Sequence, residues 1–286
     1  MWILEEFQVQ IVAKLKERFG DAYVVYADMA ESINKKGKLC IKIREKRQDK
    51  GCQIYLHSYY EEYLEGCPLE EILESMLQEF EKNREHYEKV FDCIQLKNVH
   101  KHIIFRVINY QKNQELLRRL PHILYEDLAI VFCLEQETDG QIETVLIDRK
   151  MMEEWKMNGE KLREYAFLNT PRLFPVRLRS IAEIKGAKEN EEPVFVLSNQ
   201  QKVYGASVVL YEHVLSDLAQ KYGWNLFLLP ISVHEFLILL DRGQYVQEEL
   251  LDMIRLSNQT VVSEKDFLAD NIYYYDYHDD QFFALF

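Results

Sequence analysis

Between residues 5 and 19 the large apolar side chains fall four apart, at Phe7, Ile11, Leu15 and Phe19, with mostly polar residues between them. That spacing places one apolar stripe along a helix, which Gly20-Asp21 ends. The pattern then turns to strands. Residues 23–26 are β-rich, and 38–44 alternate Leu39, Ile41 and Ile43 against Lys38, Lys42 and Arg44. A period of two predicts a half-buried strand, and a turn at 48–51 leads to its partner over 53–57. Pro68 suits the first helical position, where its missing N–H costs nothing. The helix it opens carries Leu69, Ile72, Leu73, Met76, Leu77 and Phe80 on one face.

A similar order follows twice. Strands are expected over 103–108, 128–134 and 144–147, with a hairpin turn at 137–140 and a short helix at 114–120 stopped by Pro121. Helices near 149–157 and 160–168 come next. A strand at 194–197 then precedes a helix over 205–221, whose Val208, Tyr211, Leu215, Leu218 and Tyr222 share a face. Strands at 226–229 and 236–240 and a helix at 246–256 complete the round. The expectation is an α+β protein with mainly antiparallel sheets, built of two or three small helix–β-hairpin–helix units. The divisions would be 1–98, 99–190 and 191–286. Three of the six prolines lie at 171, 175 and 193, and with the polar run 185–192 they predict a linker or exposed loop.

Composition narrows the function classes. The 286 residues are 48% hydrophobic and 29% charged, a globular balance. Lys plus Arg number 35 against 48 Asp plus Glu, a net charge of −13. That argues against a general binder of nucleic acid or anionic membranes, which need positive surface. The closest glycines, Gly37 and Gly51, are too far apart for a phosphate-cradling loop. No apolar run approaches the roughly 20 residues of a membrane span, and residues 1–6 do not read as a signal peptide. The five cysteines form no C-x-x-C pair and predict reduced core thiols in the cytoplasm. Cys40 and Cys52 fall on adjacent predicted strands, where a disulfide is the less economical reading.

Several short segments occur in an order that resembles a known family. They are Ile-Asn-Tyr-Gln-Lys-Asn at 108–113, Asn-Thr-Pro-Arg-Leu-Phe-Pro at 169–175 and Val-Leu-Ser-Asn at 196–199. Leu-Pro-Ile-Ser-Val-His-Glu at 229–235 and Tyr-Tyr-Tyr-Asp at 273–276 follow. From about residue 50 to the C-terminus the chain is similar to an uncharacterised family of anaerobic Gram-positive bacteria, known only as a domain of unknown function. The resemblance implies a bacterial cytosolic protein and brings no activity with it. The 229–235 motif takes a Pro-Ser-Ser-x-His-Glu form in that family, and Ile231 stands here in place of the first serine.

The sharpest chemical candidates are Ser232, His234 and Glu235, in a predicted turn after Pro230. A histidine beside a carboxylate can act as a general base, and a nearby serine can be polarised by it. On an extended chain, however, neighbours point to opposite faces, so Glu235 should not orient the ring. A polar turn held by serine and histidine is the competing reading, and the sequence favours it. His100 and His102 could share a strand face, but two ligands do not make a metal site. His278-Asp279-Asp280 should fan outward, so no metal and no cofactor is expected. Asn199, Tyr273 and Tyr275 are the binding candidates, since tyrosines are favoured at recognition surfaces. The stretch 35–50 holds eight basic residues against two acidic, and 61–92 holds eleven acidic against three basic. Mutual neutralisation within the molecule is expected rather than nucleic-acid binding. The resulting functional expectation is a non-enzymatic binding or regulatory protein with a protein as its possible partner; the alternative is a hydrolase-like enzyme using His234 with Ser232 or Glu235.

Overall fold

The computed structural model describes residues 2–46, 51–94, 98–138, 141–186 and 193–286. The basic turn at 48–50 and the tip of the 137–140 turn, at 139–140, lie outside the described residues. The chain divides into two compact units, Met1–Lys97 and Asn98–Phe286. Its fold is α+β, with strands in three mainly antiparallel sheets.

The first unit runs α1 (Leu4–Phe19), β1 (Tyr23–Ser32), β2 (Lys35–Glu45), β3 (Cys52–Tyr55), α2 (Leu56–Leu64) and α3 (Leu69–Ile94). Its sheet order is β1-β2-β3. Phe7, Ile11 and Leu15 of α1 are fully buried against Ile41, Ile54, Ile72, Leu73 and Met76, so the period-four stripe is the core face. Each such side chain is worth about 1.5–3 kcal/mol of burial. The expected strand 53–57 stops early, because Leu56 turns into α2 and is itself fully buried. Cys40 and Cys52 are free thiols. Cys40 pairs with Tyr55 and Cys52 with Ile43, so the two sulfurs lie on opposite sheet faces. Among the described residues, ion pairs from the 35–50 and 61–92 stretches run to other elements. Lys42 pairs with Asp28 of β1 and Lys46 with Asp21, while Glu70 and Glu74 of α3 pair with Lys14 and Arg18 of α1.

The second unit begins with β4 (Ile103–Asn109), α4 (Gln114–Leu117), β5 (His122–Tyr125), β6 (Leu128–Thr138), β7 (Gln141–Leu146), α5 (Arg149–Glu154) and α6 (Gly159–Leu173). It continues with β8 (Val176–Ser180), α7 (Ile181–Lys185), β9 (Phe195–Asn199), α8 (Val214–Tyr222), β10 (Asn225–Ser232), β11 (Glu235–Asp241), α9 (Gln247–Thr260), β12 (Ile272–Asp276) and β13 (Gln281–Leu285). One sheet has β6 at its centre, paired with β4 on one side and with β5 and β7 on the other. The other is six-stranded, in the order β13-β12-β10-β11-β9-β8. The β6–β7 and β10–β11 hairpins therefore sit in sheets of different strand order, and the recurring element order is not a structural repeat.

Two sequence expectations are corrected here. Residues 171–180 are not a loop: α6 runs through Pro171 to Leu173, and β8 follows, paired with β9 across the expected 190/191 division. A proline in the last turn removes a single helix bond. Phe174 N–H still reaches the Thr170 carbonyl at 2.8 Å, and Phe174 packs on Ile104 and Cys133. The helix expected over 205–221 is broken. Residues Gly205–Leu210 form a 3-10 helix, and α8 starts only at Val214. His213, between them, has φ of 65°, a left-handed conformation that no continuous helix allows.

Candidate functional site

Buried polar side chains gather in the second unit, where the segments at 108–113, 169–175 and 196–199 contribute most of the described ones. Asn169 donates to the His100 and Ile103 carbonyls, and Thr170 accepts from Phe105 N–H. Asn109 donates to the Leu268 carbonyl, Asn113 to the Asn109 carbonyl, and Ser207 accepts from Val107 N–H. Burying an amide or hydroxyl is costly unless it is paired, and these pairings hold neighbouring elements in place.

His234 sits at this layer's edge, in the tight turn between β10 and β11. Ser232 Oγ accepts from His234 N–H at 3.1 Å, the short-range bond of a serine turn. The ring makes two longer-range bonds. Nδ1 accepts from Tyr204 N–H at 3.1 Å, so the ring proton belongs on Nε2, which donates to Asp266 at 3.1 Å. The His234 carbonyl accepts from Ser198 Oγ at 2.8 Å. Glu235 begins β11 and is not a partner of the ring, whose carboxylate is Asp266, in a short turn at Glu264–Asp266. Burial pushes the Asp266 carboxyl up, but hydrogen bonds from Ser263 and His234 outweigh it and hold the group below its ordinary value. An aspartate–histidine pair is thus present, yet both ring nitrogens are occupied. A general base needs a free lone pair within reach of its substrate, and this ring's lone pair is spent on Tyr204.

The approach of the chain here is tight. A Cβ on Gly205 would lie 2.2 Å from Ser198 Oγ, 2.5 Å from the His234 carbonyl oxygen and 2.7 Å from Asn199 N. Glycine is required by that contact. Tyr204 just before it is left-handed, with φ of 50°, an uncommon conformation for a bulky residue. Asn199 clamps the preceding loop: its side-chain amide donates to the Val203 carbonyl and accepts from Val203 N–H. Its polar atoms are therefore committed to the chain itself.

Tyr273 and Tyr275 share one face of β12, but their surroundings differ. Tyr273 is fully buried, stacks on Phe282 and donates to Asp127 at 2.6 Å, while Asn271 donates to the other carboxylate oxygen. Burial and that carboxylate push its phenol well above the ordinary value. Tyr275 donates to Asp280 and lines a cavity of about 440 Å³. The cavity floor is apolar and aromatic, with Tyr125, Ile130, Phe167, Tyr211, Leu215 and Phe282 beside Tyr275. Arg163, Glu212, His213, Ser216 and Asp280 supply its polar positions. Several walls are tied down: Tyr125 donates to the Phe282 carbonyl and Tyr211 to the Phe174 carbonyl, each at 3.1 Å. Burial pushes the Tyr125, Tyr211 and Tyr275 phenols up, which keeps them protonated donors at neutral pH. His213 and Asp280 both hold left-handed backbone, so strain gathers at this rim.

The remaining candidates disperse. His100 packs on Tyr165, and His102 bonds Glu135 at 3.0 Å. The Asp276 carboxylate accepts from His278 N–H and Asp279 N–H, which makes 276–279 a local turn. Among the described residues, no three His, Cys, Asp or Glu side chains are grouped to hold a metal ion, and no helix is long and apolar enough to cross a membrane. Tyr204, Arg106, Asp266 and the 209–216 wall were not visible as site residues in the sequence, because partners 30 or more positions away define them.

No curated protein and no solved structure matches this chain significantly. A family profile matches residues 4–277, nearly the whole chain. The chain belongs to that family, DUF5688, a family of unknown function.

Proposed function

We propose that this chain is a non-enzymatic binding protein of the bacterial cytosol whose ligand is a small organic molecule held in the second unit. One observation carries the proposal: a cavity of about 440 Å³ with an aromatic floor and a few polar groups at its edge. Ligand sites of about 300–1,000 Å³ with this kind of lining are the usual size for small molecules. The Tyr125, Tyr211 and Tyr275 walls are already fixed by hydrogen bonds, so a guest would meet a largely preformed surface. Arg163 lies 5.5 Å from the Phe167 ring centroid and forms no ion pair among the described residues. Its charge favours a guest with an aromatic body and an anionic end. The free thiols of Cys40, Cys52, Cys67 and Cys133 suit a reducing compartment. A hydrolytic reading centred on His234 draws less support, since the ring has no nitrogen to offer a substrate.

Saturation-transfer NMR on the full chain tests this, with phenylacetate, indole-3-acetate and indole as probes. Transfer is expected to the two carboxylates, and Ser216→Trp, which fills the cavity from its edge, should abolish it. Absence of transfer from all three probes, or transfer unchanged in Ser216→Trp, would overturn the proposal.

A further inference from the structure

Arg106 is a buried residue of the polar layer whose charge meets no carboxylate among the described residues. It lies on β4, where every residue is buried, and is itself only 8% exposed. A guanidinium does not lose its proton in a protein, so the charge persists in a low-dielectric setting. Its carbon stands 3.9 Å from the centroid of the Tyr204 ring, a cation–π contact that compensates part of the lost hydration. Among the described residues it forms no ion pair. Asp266 is committed to His234 and Ser263 and does not line the space beside Arg106.

That space is a cavity of about 10 Å³, enough for one guest of roughly water size. The polar groups around it are short of acceptors. Thr170 and Tyr211 hydroxyls already donate to the Ala166 and Phe174 carbonyls, and the Asn199 amide to Val203. Ser207 Oγ accepts from Val107 N–H, and its own O–H has no acceptor among the described residues. No carboxylate lines the cavity. The Tyr204 hydroxyl takes one guanidinium N–H, and what is left over is a permanent cation and the Ser207 hydroxyl facing a water-sized space. A water molecule could take up those N–H and O–H groups but would leave the charge uncompensated.

We propose that this cavity binds one monatomic anion of chloride's size and charge, held by the Arg106 guanidinium and the Ser207 hydroxyl. The water-sized space favours such an ion over the larger sulfate, phosphate and carboxylates. The site is separate from the larger cavity, with Tyr211 lining both, and it stands or falls independently of the small-molecule proposal.

The test is thermal stability of the full chain in sodium chloride against sodium gluconate at equal ionic strength. At a hundredfold excess over its dissociation constant, chloride should raise the folded-to-unfolded ratio about 100-fold, and phosphate at the same ionic strength should not. Arg106→Met should respond equally to both salts. Because that variant removes a buried side chain and could fail to fold, diffraction from wild-type crystals grown in sodium bromide provides the second measurement. An anomalous peak beside the Arg106 guanidinium is expected. Equal stability of the wild type in chloride and gluconate, or bromide peaks confined to the surface, would overturn the proposal.

Discussion

Replacing Gly205 with alanine would put a methyl group where three atoms already stand at 2.2, 2.5 and 2.7 Å. Ordinary contact at such a carbon begins near 3.4 Å, so each neighbour must give by 0.7 Å or more. Two of the three are backbone atoms, the His234 carbonyl oxygen and Asn199 N, and cannot rotate away. Ser198 can, but its hydroxyl bonds that same carbonyl at 2.8 Å, and turning it aside strands a partly buried acceptor. Overpacking of this kind costs about 1–3 kcal/mol and the stranded carbonyl about 1 more, so Gly205→Ala should cost about 2–4 kcal/mol. For a unit of about 150–250 residues that lowers Tm by about 5–15 °C in a circular-dichroism melt. Gly159→Ala is the control, because nothing lies within 4 Å of its Cβ position and it opens α6. It should be neutral or slightly stabilising. A Gly205→Ala protein melting within 2 °C of wild type would refute the claim that this contact holds the β9 end and the His234 turn together.

His234→Ala removes the acceptor of Tyr204 N–H and the donor to Asp266, and urea denaturation should show a loss of about 1–3 kcal/mol. Probe binding in the larger cavity should survive, and a fully stable variant that has lost it would contradict a structural role for the ring. Asp266 is held below its ordinary value, so its stabilising contribution is complete above the unfolded-state value of about 4 and disappears as pH falls through the lower folded-state value. The stability difference between wild type and Asp266→Asn, followed by urea denaturation from about pH 6 downward, should therefore shrink toward acid; a difference that grows would show the sign to be wrong. The 35–50 segment should not bind nucleic acid. Fluorescence anisotropy with DNA and RNA oligonucleotides checks this, and a salt-dependent dissociation constant in the micromolar range or tighter would count against it.

Local signals in the sequence carried over wherever one period of hydrophobicity governed a segment. Phe7, Ile11 and Leu15 are the core stripe of α1, and the apolar run at 103–108 is β4, buried on both faces. Segments whose conformation is set by distant partners were misread. Residues 205–210 have helical spacing, yet Gly205 must press against β9 and the His234 turn, and that contact wins over a continuous helix. Pro171 reads as a breaker but falls in the last turn of α6, where Phe174 anchors the chain on the sheet. The His234 turn was legible through Ser232, while its carboxylate partner was not, because Asp266 lies 32 positions away. Nothing local in the sequence marks Arg106, which stands within the apolar 103–108 run. Only the packing of Tyr204 over it makes its burial visible.

Diffraction from crystals of the full chain soaked in phenylacetate tests the binding proposal most directly. The account predicts the phenyl ring between Phe167 and Tyr275 in the 440 Å³ cavity, with its carboxylate directed to Arg163 and its density lost in Ser216→Trp crystals. Phenylacetate found only on the protein surface, with no ordered density in that cavity at saturating concentration, would contradict it.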